Sequence, residues 1–316
     1  MSAEFVEELR RSCTGEVRPD AALAAHTTLR VGGPARVLVV AERDEDLASA
    51  GRVAAQHRLP WVVVGRGSNL LVADSGWPGI AIQLGRGYRG LETDGAMVRA
   101  GAAEPLPVLA VRLADAGYAG FAWACAVPGT LGGAVRMNAG AHGSDMGRHL
   151  VEVELVRLGT GAREVWPVDA LGLGYRRSTL PEDAVVVAGT LRLARGDAAA
   201  IREEIAGIRA WRRANQPLNE PNCGSVFTNP PDDSAGRLLE AAGAKGMRVG
   251  CAAVSDRHAN FIVTRPGASA ADVANLIGRL QALVRDRAGV ELVPEVTRIG
   301  DFGGQDQDAG AEAVTG

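Results

Sequence analysis

Lysine is almost absent from this chain of 316 residues: among its 34 lysine and arginine residues, Lys245 is the only lysine. Arginine cannot supply the depressed ammonium pKa on which a catalytic lysine depends, so Schiff-base or Walker-type lysine chemistry is not expected. The net charge of −3 also lacks the basic excess of a nucleic-acid-binding surface. We therefore expect a small-molecule partner and no nucleic acid.

Cysteines are also few, and no two of them have CxxC spacing. A disulfide framework and a cysteine metal site are both poorly supported by this distribution, so we expect free thiols and no bound metal. The cysteines are Cys13, Cys125, Cys223 and Cys251.

Long apolar runs are missing as well. The runs at 61–64 and 184–187 are of strand length, far short of the ~20 residues that a membrane-spanning helix needs. Residues 1–11 carry glutamates where a secretory signal needs a basic start. The sequence therefore predicts a cytoplasmic protein without a membrane span.

Strand and helix patterns alternate along the rest of the chain. Residues 36–40 are strand-like, whereas residues 44–57 place apolar side chains at helical spacing. A composition shift at 195–197 precedes an amphipathic helix pattern, and we place a domain boundary there. The pattern predicts further helices at 106–116, 199–213, 235–242 and 269–287, strands at 61–64, 80–84, 151–158, 164–168, 184–194, 260–263 and 290–299, and a loop over 120–147.

The predicted organisation has four parts. A helix and connector occupy residues 1–20, a larger unit spans 21–196 and a smaller unit spans 197–302. Residues 303–316 lack apolar periodicity and are predicted to form a disordered tail.

The first segment that suggests chemistry is Gly65-Arg66-Gly67-Ser68-Asn69-Leu70, directly after a buried strand. Glycine tolerates positive φ, so successive backbone N–H groups can converge there on an anion. A Rossmann turn would have glycine at position 70 and continue into a helix, and this sequence does neither. The alternative is a tight turn between two strands.

The second segment, residues 126–143, holds five glycines in positions 129–143. Their conformational entropy is costly in a plain connector, and close approach of the backbone to a ligand is one reason to keep them. Two such loops suggest a long ligand with a pyrophosphate centre and an aromatic end. His142 could be a base, a metal ligand, a covalent flavin attachment point or a polar packing residue.

Two more polar residues are noticeable. Ser225 follows a glycine, but Phe227 breaks the GxSxG elbow of serine hydrolases. It is either a positioned O–H donor or a turn serine. Glu295 lies in an apolar strand-like run, which is costly for a carboxylate unless it is paired or used. A structural salt bridge explains Glu295 equally well.

Six segments in this order resemble the bacterial UDP-N-acetylenolpyruvoylglucosamine reductase family, also called UDP-N-acetylmuramate dehydrogenases. The resemblance covers about residues 20–302. The six segments are GRGSNLL at 65–71, PGTLGGAVRMNAGAHG at 128–143, GYRRS at 174–178, GSVFTNP at 224–230, SDRHANFIV at 255–263 and PEVTRIG at 294–300.

The resemblance implies an α+β protein with a two-lobed FAD-binding domain of the vanillyl-alcohol-oxidase (PCMH) type, its lobes at about 21–90 and 91–196. A smaller C-terminal α+β domain, residues 197–302, would bind the substrate. In the family NADPH reduces a non-covalently bound FAD, and the flavin passes a hydride to C3 of the enolpyruvyl ether of UDP-N-acetylglucosamine. Protonation at C2 then gives UDP-N-acetylmuramate, a peptidoglycan precursor. The protein would act as a monomer.

The resemblance also implies roles for individual residues. Ser225 would donate the proton to C2, while Arg176 and Glu295 would stabilise the enolate-like intermediate. The implied substrate contacts are Tyr175, Arg212, Asn229 and His258. The implied FAD-binding residues are Gly65, Arg66, Gly67, Ser68, Asn69, Leu70, Pro128, Gly129, Thr130, Gly132, Gly133, Asn138, Ala139 and Gly140.

The chain departs from the family pattern at three positions. Thr228 stands where a Lys or Arg is usual, and Arg136 and His142 stand where aromatic residues are usual. The short interval between Arg176 and Ser225 leaves no room for the lid insertion of the longer family form. An alternative is a paralogous FAD reductase that acts on a different enol ether or nucleotide sugar in specialised metabolism.

Overall fold

The first lobe consists of two helices and a small mixed sheet. The computed structural model describes residues 2–303. The elements of the first lobe are α1 (Ser2–Ser12), β1 (Val17–Ala22), β2 (Pro34–Ala41), α2 (Asp44–His57), β3 (Trp61–Val63), β4 (Leu70–Val72) and β5 (Trp77–Leu84). The sheet order is β1-β2-β5-β3, in which β2, β5 and β3 are parallel and β1 is antiparallel. Short β4 lies outside this sheet.

The second lobe is built on a five-stranded antiparallel sheet. Its elements are β6 (Leu91–Asp94), β7 (Met97–Gly101), α3 (Leu106–Asp115), β8 (Tyr118–Ala119), α4 (Leu131–Arg136), β9 (Gly140–Ala141), β10 (Ser144–Asp145), β11 (Leu150–Arg157), β12 (Arg163–Pro167), β13 (Ala184–Arg192) and β14 (Ala194–Arg195). The sheet order is β12-β11-β13-β7-β6. The two lobes share one hydrophobic cluster, in which Val39 and Ile80 of the first lobe meet Val156 and Val185 of the second.

Helix α5 (Ala198–Asn215) follows β14 and packs on the second lobe, whose hydrophobic cluster includes Ile201 and Ile205. The C-terminal domain then packs two helices against a three-stranded sheet. Its elements are α6 (Ala235–Ala241), β15 (Arg248–Val249), β16 (Ala252–Val254), β17 (Ile262–Thr264), α7 (Ala270–Ala288) and β18 (Thr297–Ile299). β18 leaves this domain and pairs in parallel with β4 of the first lobe. No helix in residues 2–303 is long and apolar enough to cross a membrane.

Most sequence patterns predict the observed elements, and three predictions are wrong. The supposed connector after α1 contains strand β1, which pairs along its length with β2. The glycine-rich stretch 120–147, predicted as a loop, contains α4 because the Thr130 side chain caps its first turn. Of the strand predicted at 290–299, only Thr297–Ile299 forms. The tail predicted at 303–316 lies, except for Gly303, outside the described residues.

Asp74, in the turn between β4 and β5, connects the first lobe to the C-terminal domain. Its two carboxylate oxygens accept the N–H groups of Ala270 at 2.7 Å and Ala271 at 2.9 Å. These amides lie in the first turn of α7, where backbone donors lack helical partners. Ser269 and Asp272 add a capping box to the same turn.

We expect Asp74→Ala to lower the free energy of unfolding by about 1 kcal/mol, the usual cost of losing a helix cap. Urea denaturation followed by circular dichroism measures the change. Asp286→Ala is the matched control, because it removes an exposed carboxylate from the C-terminal part of the same helix, where negative charge opposes the helix dipole. A midpoint for Asp74→Ala equal to that of the wild type would contradict the assignment.

Candidate active site

The two glycine-rich loops face each other across a narrow gap. A Cβ atom on Gly65 would lie 2.9 Å from Oγ1 of Thr130, and one on Gly129 would lie 3.4 Å from Oγ of Ser68. Gly67 has φ +58, and a Cβ there would come within 2.1 Å of the His26 carbonyl oxygen. Only glycine satisfies both constraints at position 67.

The first loop has backbone donors without protein partners in the part of the chain that the structure describes. Within residues 2–303, the N–H groups of Gly67, Ser68 and Asn69 donate to no protein acceptor. The loop is held from outside, where the N–H of Thr28 donates to the Gly67 carbonyl at 3.2 Å. Convergent backbone amides of this kind bind anionic groups such as a diphosphate. The loops therefore fit the middle of a dinucleotide cofactor.

Asn138 connects the second glycine-rich loop to the turn at residues 174–177. It is buried and has φ +40. Its Nδ2 donates to the Gly174 carbonyl at 3.0 Å, and its Oδ1 accepts the N–H of Gly147 at 2.8 Å. Asn tolerates the left-handed region better than most residues. The Asn138 side chain therefore links the second glycine-rich loop to Gly147 and to the turn at Gly174.

Arg176 lies at the tip of that turn and links two parts of the chain. The turn is closed by hydrogen bonds between Gly174 and Arg177, and Arg176 has φ +57, a strained value typical of functional positions. Its Nη2 donates to the Gly140 carbonyl at 2.9 Å, and its Nε lies 2.9 Å from Oε1 of Glu295. The Arg176–Glu295 contact is an ion pair between the second lobe and the C-terminal segment.

Ser225 and Glu295 lie on neighbouring extended segments. The N–H of Glu295 donates to the Val226 carbonyl at 2.7 Å, and Phe227 pairs with Pro294. The turn before Ser225 forms because Gly224 adopts φ +78. Ser225 is half-buried, and its hydroxyl makes no hydrogen bond with the part of the chain that the structure describes. The hydroxyl is therefore available to a ligand.

Asn260 holds the Ser225 segment, and the sequence analysis missed it. Its buried side chain accepts the N–H of Phe227 at 2.9 Å and donates to the Phe227 carbonyl at 2.8 Å. Its own carbonyl accepts the N–H of Val226 at 2.9 Å. The available signal was an asparagine at the start of an apolar strand, which is costly unless its amide is paired.

The predicted substrate contacts divide into two groups. Tyr175 and Asn229 meet, because the N–H of Asn229 donates to the Tyr175 hydroxyl at 3.4 Å. His258 packs on Phe261 with 4.8 Å between ring centroids, and its Nδ1 accepts the N–H of Asn260. Arg212 lies apart from these residues: its Nε donates to Gln216.

The three departures from the family pattern have structural explanations. The Arg136 guanidinium donates to the carbonyls of residues 180, 181 and 184, so it braces the second lobe. His142 packs edge-on against Trp211, and burial followed by the nearby Arg212 lowers the pKa of His142. The Thr228 hydroxyl donates to the Val293 carbonyl at 3.3 Å. Residues 2–303 contain no group of His, Cys, Asp or Glu that could hold a metal ion.

Comparison with known proteins agrees with this arrangement. A family model for an FAD binding domain matches residues 35–164, and a model for the C-terminal domain of UDP-N-acetylenolpyruvoylglucosamine reductase matches residues 216–299. The reductase of Heliobacterium modesticaldum is 42% identical over 96% of this chain and 98% of its own length. That of Bacillus subtilis is 38% identical over 94% of this chain and 98% of its own length.

A solved structure shows the same fold. The reductase of Thermus caldophilus superposes with a TM-score of 0.78 at 36% identity, covering 90% of this chain and 99% of the other. The α+β fold with an FAD-binding domain of the PCMH type is thereby confirmed.

The fold and the opposed glycine-rich loops define an FAD-dependent oxidoreductase. Within that class, the identity over nearly whole chains is decisive. The chain belongs to the UDP-N-acetylenolpyruvoylglucosamine reductase family. The limits predicted for its domains, and the roles of the individual site residues, stay predictions.

The buried Glu295 carboxyl gives a pH-dependent stability. Burial raises the pKa of Glu295 above its usual range, although Arg176 opposes this. Between the unfolded and the folded pKa the folded chain holds more protons, so the free energy of unfolding falls as pH rises through that window. Glu295→Gln removes this titration. From about pH 4 upward, the variant should therefore gain stability relative to the wild type.

Urea denaturation of both proteins at a series of pH values measures this difference. The absolute stability of Glu295→Gln also includes the loss of the ion pair with Arg176, so only the change with pH is diagnostic. Two stability curves that run parallel across the series would contradict the raised pKa.

Proposed function

We propose that this chain reduces UDP-N-acetylglucosamine enolpyruvate to UDP-N-acetylmuramate, with NADPH as the reductant and non-covalently bound FAD as the cofactor. The observation that carries the proposal is the meeting of Arg176, Glu295 and the Ser225 segment, with Arg176 also bonded to the second glycine-rich loop. A peptidoglycan precursor is the product. The relatives that match this chain over nearly their whole length bear the name of this activity.

The residues that would hold FAD line the gap between the two loops. The free amides of Gly67, Ser68 and Asn69 suit its diphosphate, and Gly65 and Gly129 keep the gap open because a side chain there would fill it. Bound FAD supplies the hydride chemistry, for which no amino-acid side chain is suited. Pro128, Thr130 and residues 132–140 would form the facing wall.

Arg176 would stabilise negative charge on the substrate. Hydride addition at C3 leaves charge over C2 and the adjoining carboxylate. The Arg176 side chain is largely buried, and a cation in a water-poor site stabilises such charge more strongly than one in water. Glu295 and the Gly140 carbonyl hold the guanidinium in place.

Ser225 would deliver the proton in this proposal. Its hydroxyl is half-buried and has no protein partner among the described residues. It follows Gly224 in a segment that Asn260 clamps, so its position is well defined. A hydroxyl at this point can quench the charge at C2 by general acid catalysis.

The substrate would occupy the surface formed by Tyr175, Asn229 and His258. Tyr175 is 57% exposed, with the Arg176 guanidinium 5.0 Å from its ring centroid, so much of the side chain remains accessible to a ligand. Thr228 provides no positive charge here. Arg212, half-buried beside the second glycine-rich loop, is our choice for the cation that contacts the diphosphate of the substrate or NADPH.

We also propose a monomer that works in the cytoplasm. The cysteines at positions 13, 125, 223 and 251 are all unpaired, as is usual in a reducing compartment. Gel filtration with light scattering tests the oligomeric state.

The function itself is tested with authentic substrate. The purified protein should be yellow, and its NADPH consumption should depend on UDP-N-acetylglucosamine enolpyruvate. Rapid reduction of the flavin by NADPH without reoxidation by this substrate would instead favour a paralogue that acts on another enol ether. A colourless protein that FAD cannot reconstitute would refute the flavoenzyme assignment.

Ser225→Ala should slow substrate reduction by roughly 10²–10⁴-fold, the range of general acid catalysis. Reduction of the flavin by NADPH does not require this proton, so its rate should stay unchanged. Stopped-flow absorbance of the flavin measures both half-reactions. Ser75→Ala, an exposed serine in the turn before β5, is the control. An equal fall in both half-reactions would make Ser225 a structural residue.

A further inference from the structure

Asn69, the last residue of the first glycine-rich loop before β4, reaches into the C-terminal segment. Its Nδ2 donates to the Glu295 carbonyl at 3.0 Å. Its own carbonyl accepts the N–H of Thr297, also at 3.0 Å. These two hydrogen bonds attach the loop directly to the chain on both sides of Val296. The loop is therefore joined to the segment that carries the Glu295 carboxylate.

Glu295 is held from the opposite side as well. Its N–H donates to the Val226 carbonyl at 2.7 Å, so both of its backbone polar groups are engaged. With the backbone fixed, the carboxylate can adjust only by side-chain rotation, and it lies against Arg176. The Asn69 side chain is the partner of the Glu295 carbonyl. Without it, the position of this carbonyl would be fixed only by the neighbouring β4–β18 pairing.

We propose that Asn69 is a positioning residue for Glu295, so that the state of the cofactor loop sets the placement of the Glu295 carboxylate against Arg176. This inference rests on the proposed function, in which Arg176, held by Glu295, stabilises charge on the substrate. The side chain of Asn69 is occupied by Glu295, whereas the backbone amides of the same loop remain free for the cofactor. The loop can therefore serve both purposes at once.

Two consequences distinguish this role from that of a simple cofactor contact. Loading with FAD orders the loop, and through Asn69 it orders the segment that contains Glu295 and Thr297. Loss of the Asn69 side chain would move Glu295 and Arg176 relative to the substrate, but it leaves the backbone amides of the loop that would hold the cofactor. The two half-reactions should therefore respond differently.

The first experiment compares wild type with Asn69→Ala, both saturated with FAD. We expect roughly 10²-fold slower substrate reduction, as for a catalytic group displaced by about 1 Å. The rate of flavin reduction and the KM for NADPH should be unchanged. Thr28→Ala is the matched control, because Thr28 supports the same loop through its hydroxyl contact to the Gly67 carbonyl and has no contact with Glu295. Both of its half-reactions should equal those of the wild type.

The second experiment needs no activity and, in its first arm, no variant. Hydrogen–deuterium exchange is measured on the wild-type chain without FAD and after loading. Peptides that cover residues 292–299 should exchange more slowly after loading, and Asn69→Ala should lose this protection. Because the wild-type arm does not depend on the folding of the variant, it tests the coupling even if Asn69→Ala is unstable.

Three outcomes would overturn the inference. One is unchanged exchange of residues 292–299 on loading. Another is a variant with weaker FAD affinity whose substrate reduction recovers fully at saturating FAD, which would make Asn69 a cofactor ligand only. The third is an equal loss in both half-reactions. If the substrate does not reoxidise the reduced flavin of the wild type, the proposed function is refuted instead. The hydrogen–deuterium exchange result does not depend on that outcome.

Discussion

The ion pair between Arg176 and Glu295 is the constraint on which the site depends. Each residue is brought by a different part of the chain, and each side chain is largely buried. Burial of two charges costs about as much as their attraction returns, so such a pair contributes little to stability. Its value lies in placement: a guanidinium already removed from water needs little rearrangement when charge develops beside it. The strained turn at Arg176 and the double anchoring of the Glu295 backbone both serve that placement.

The two glycine-rich loops and the C-terminal segment contact one another around that ion pair. The first loop meets the second at Gly65 and Thr130, the second accepts Arg176 at Gly140, and the C-terminal segment returns to β4 beside the first loop. Each contact involves backbone groups or small side chains, which have few alternative positions. The proposed cofactor and substrate surfaces are thus formed by the same few segments. A shift in the residues of one surface would therefore move the residues of the other.

Local signals made much of the fold predictable, and non-local contacts account for the errors. The limits of α2 and the Ser269 cap of α7 could be read directly, because caps and helical spacing are encoded within a few residues. The sequence did not indicate α4, because its two glycines have low helix propensity. It did not indicate β1, because that strand depends on pairing with β2. The site motifs were recognisable, but the targets of Asn69 and Asn260 are backbone groups distant in sequence. No spacing rule indicates such partners.

The pairing of β18 with β4 has a consequence for folding during translation. β4 leaves the ribosome early, yet the strand that completes it lies at Thr297–Ile299, near the end of the described chain. Synthesis proceeds at roughly 5–20 residues per second, and domains tend to fold as they emerge. The short strand β4 therefore has no strand partner until β18 has been synthesised. A chain truncated before Thr297 would leave the edge of β4 open to pairing with other nascent chains.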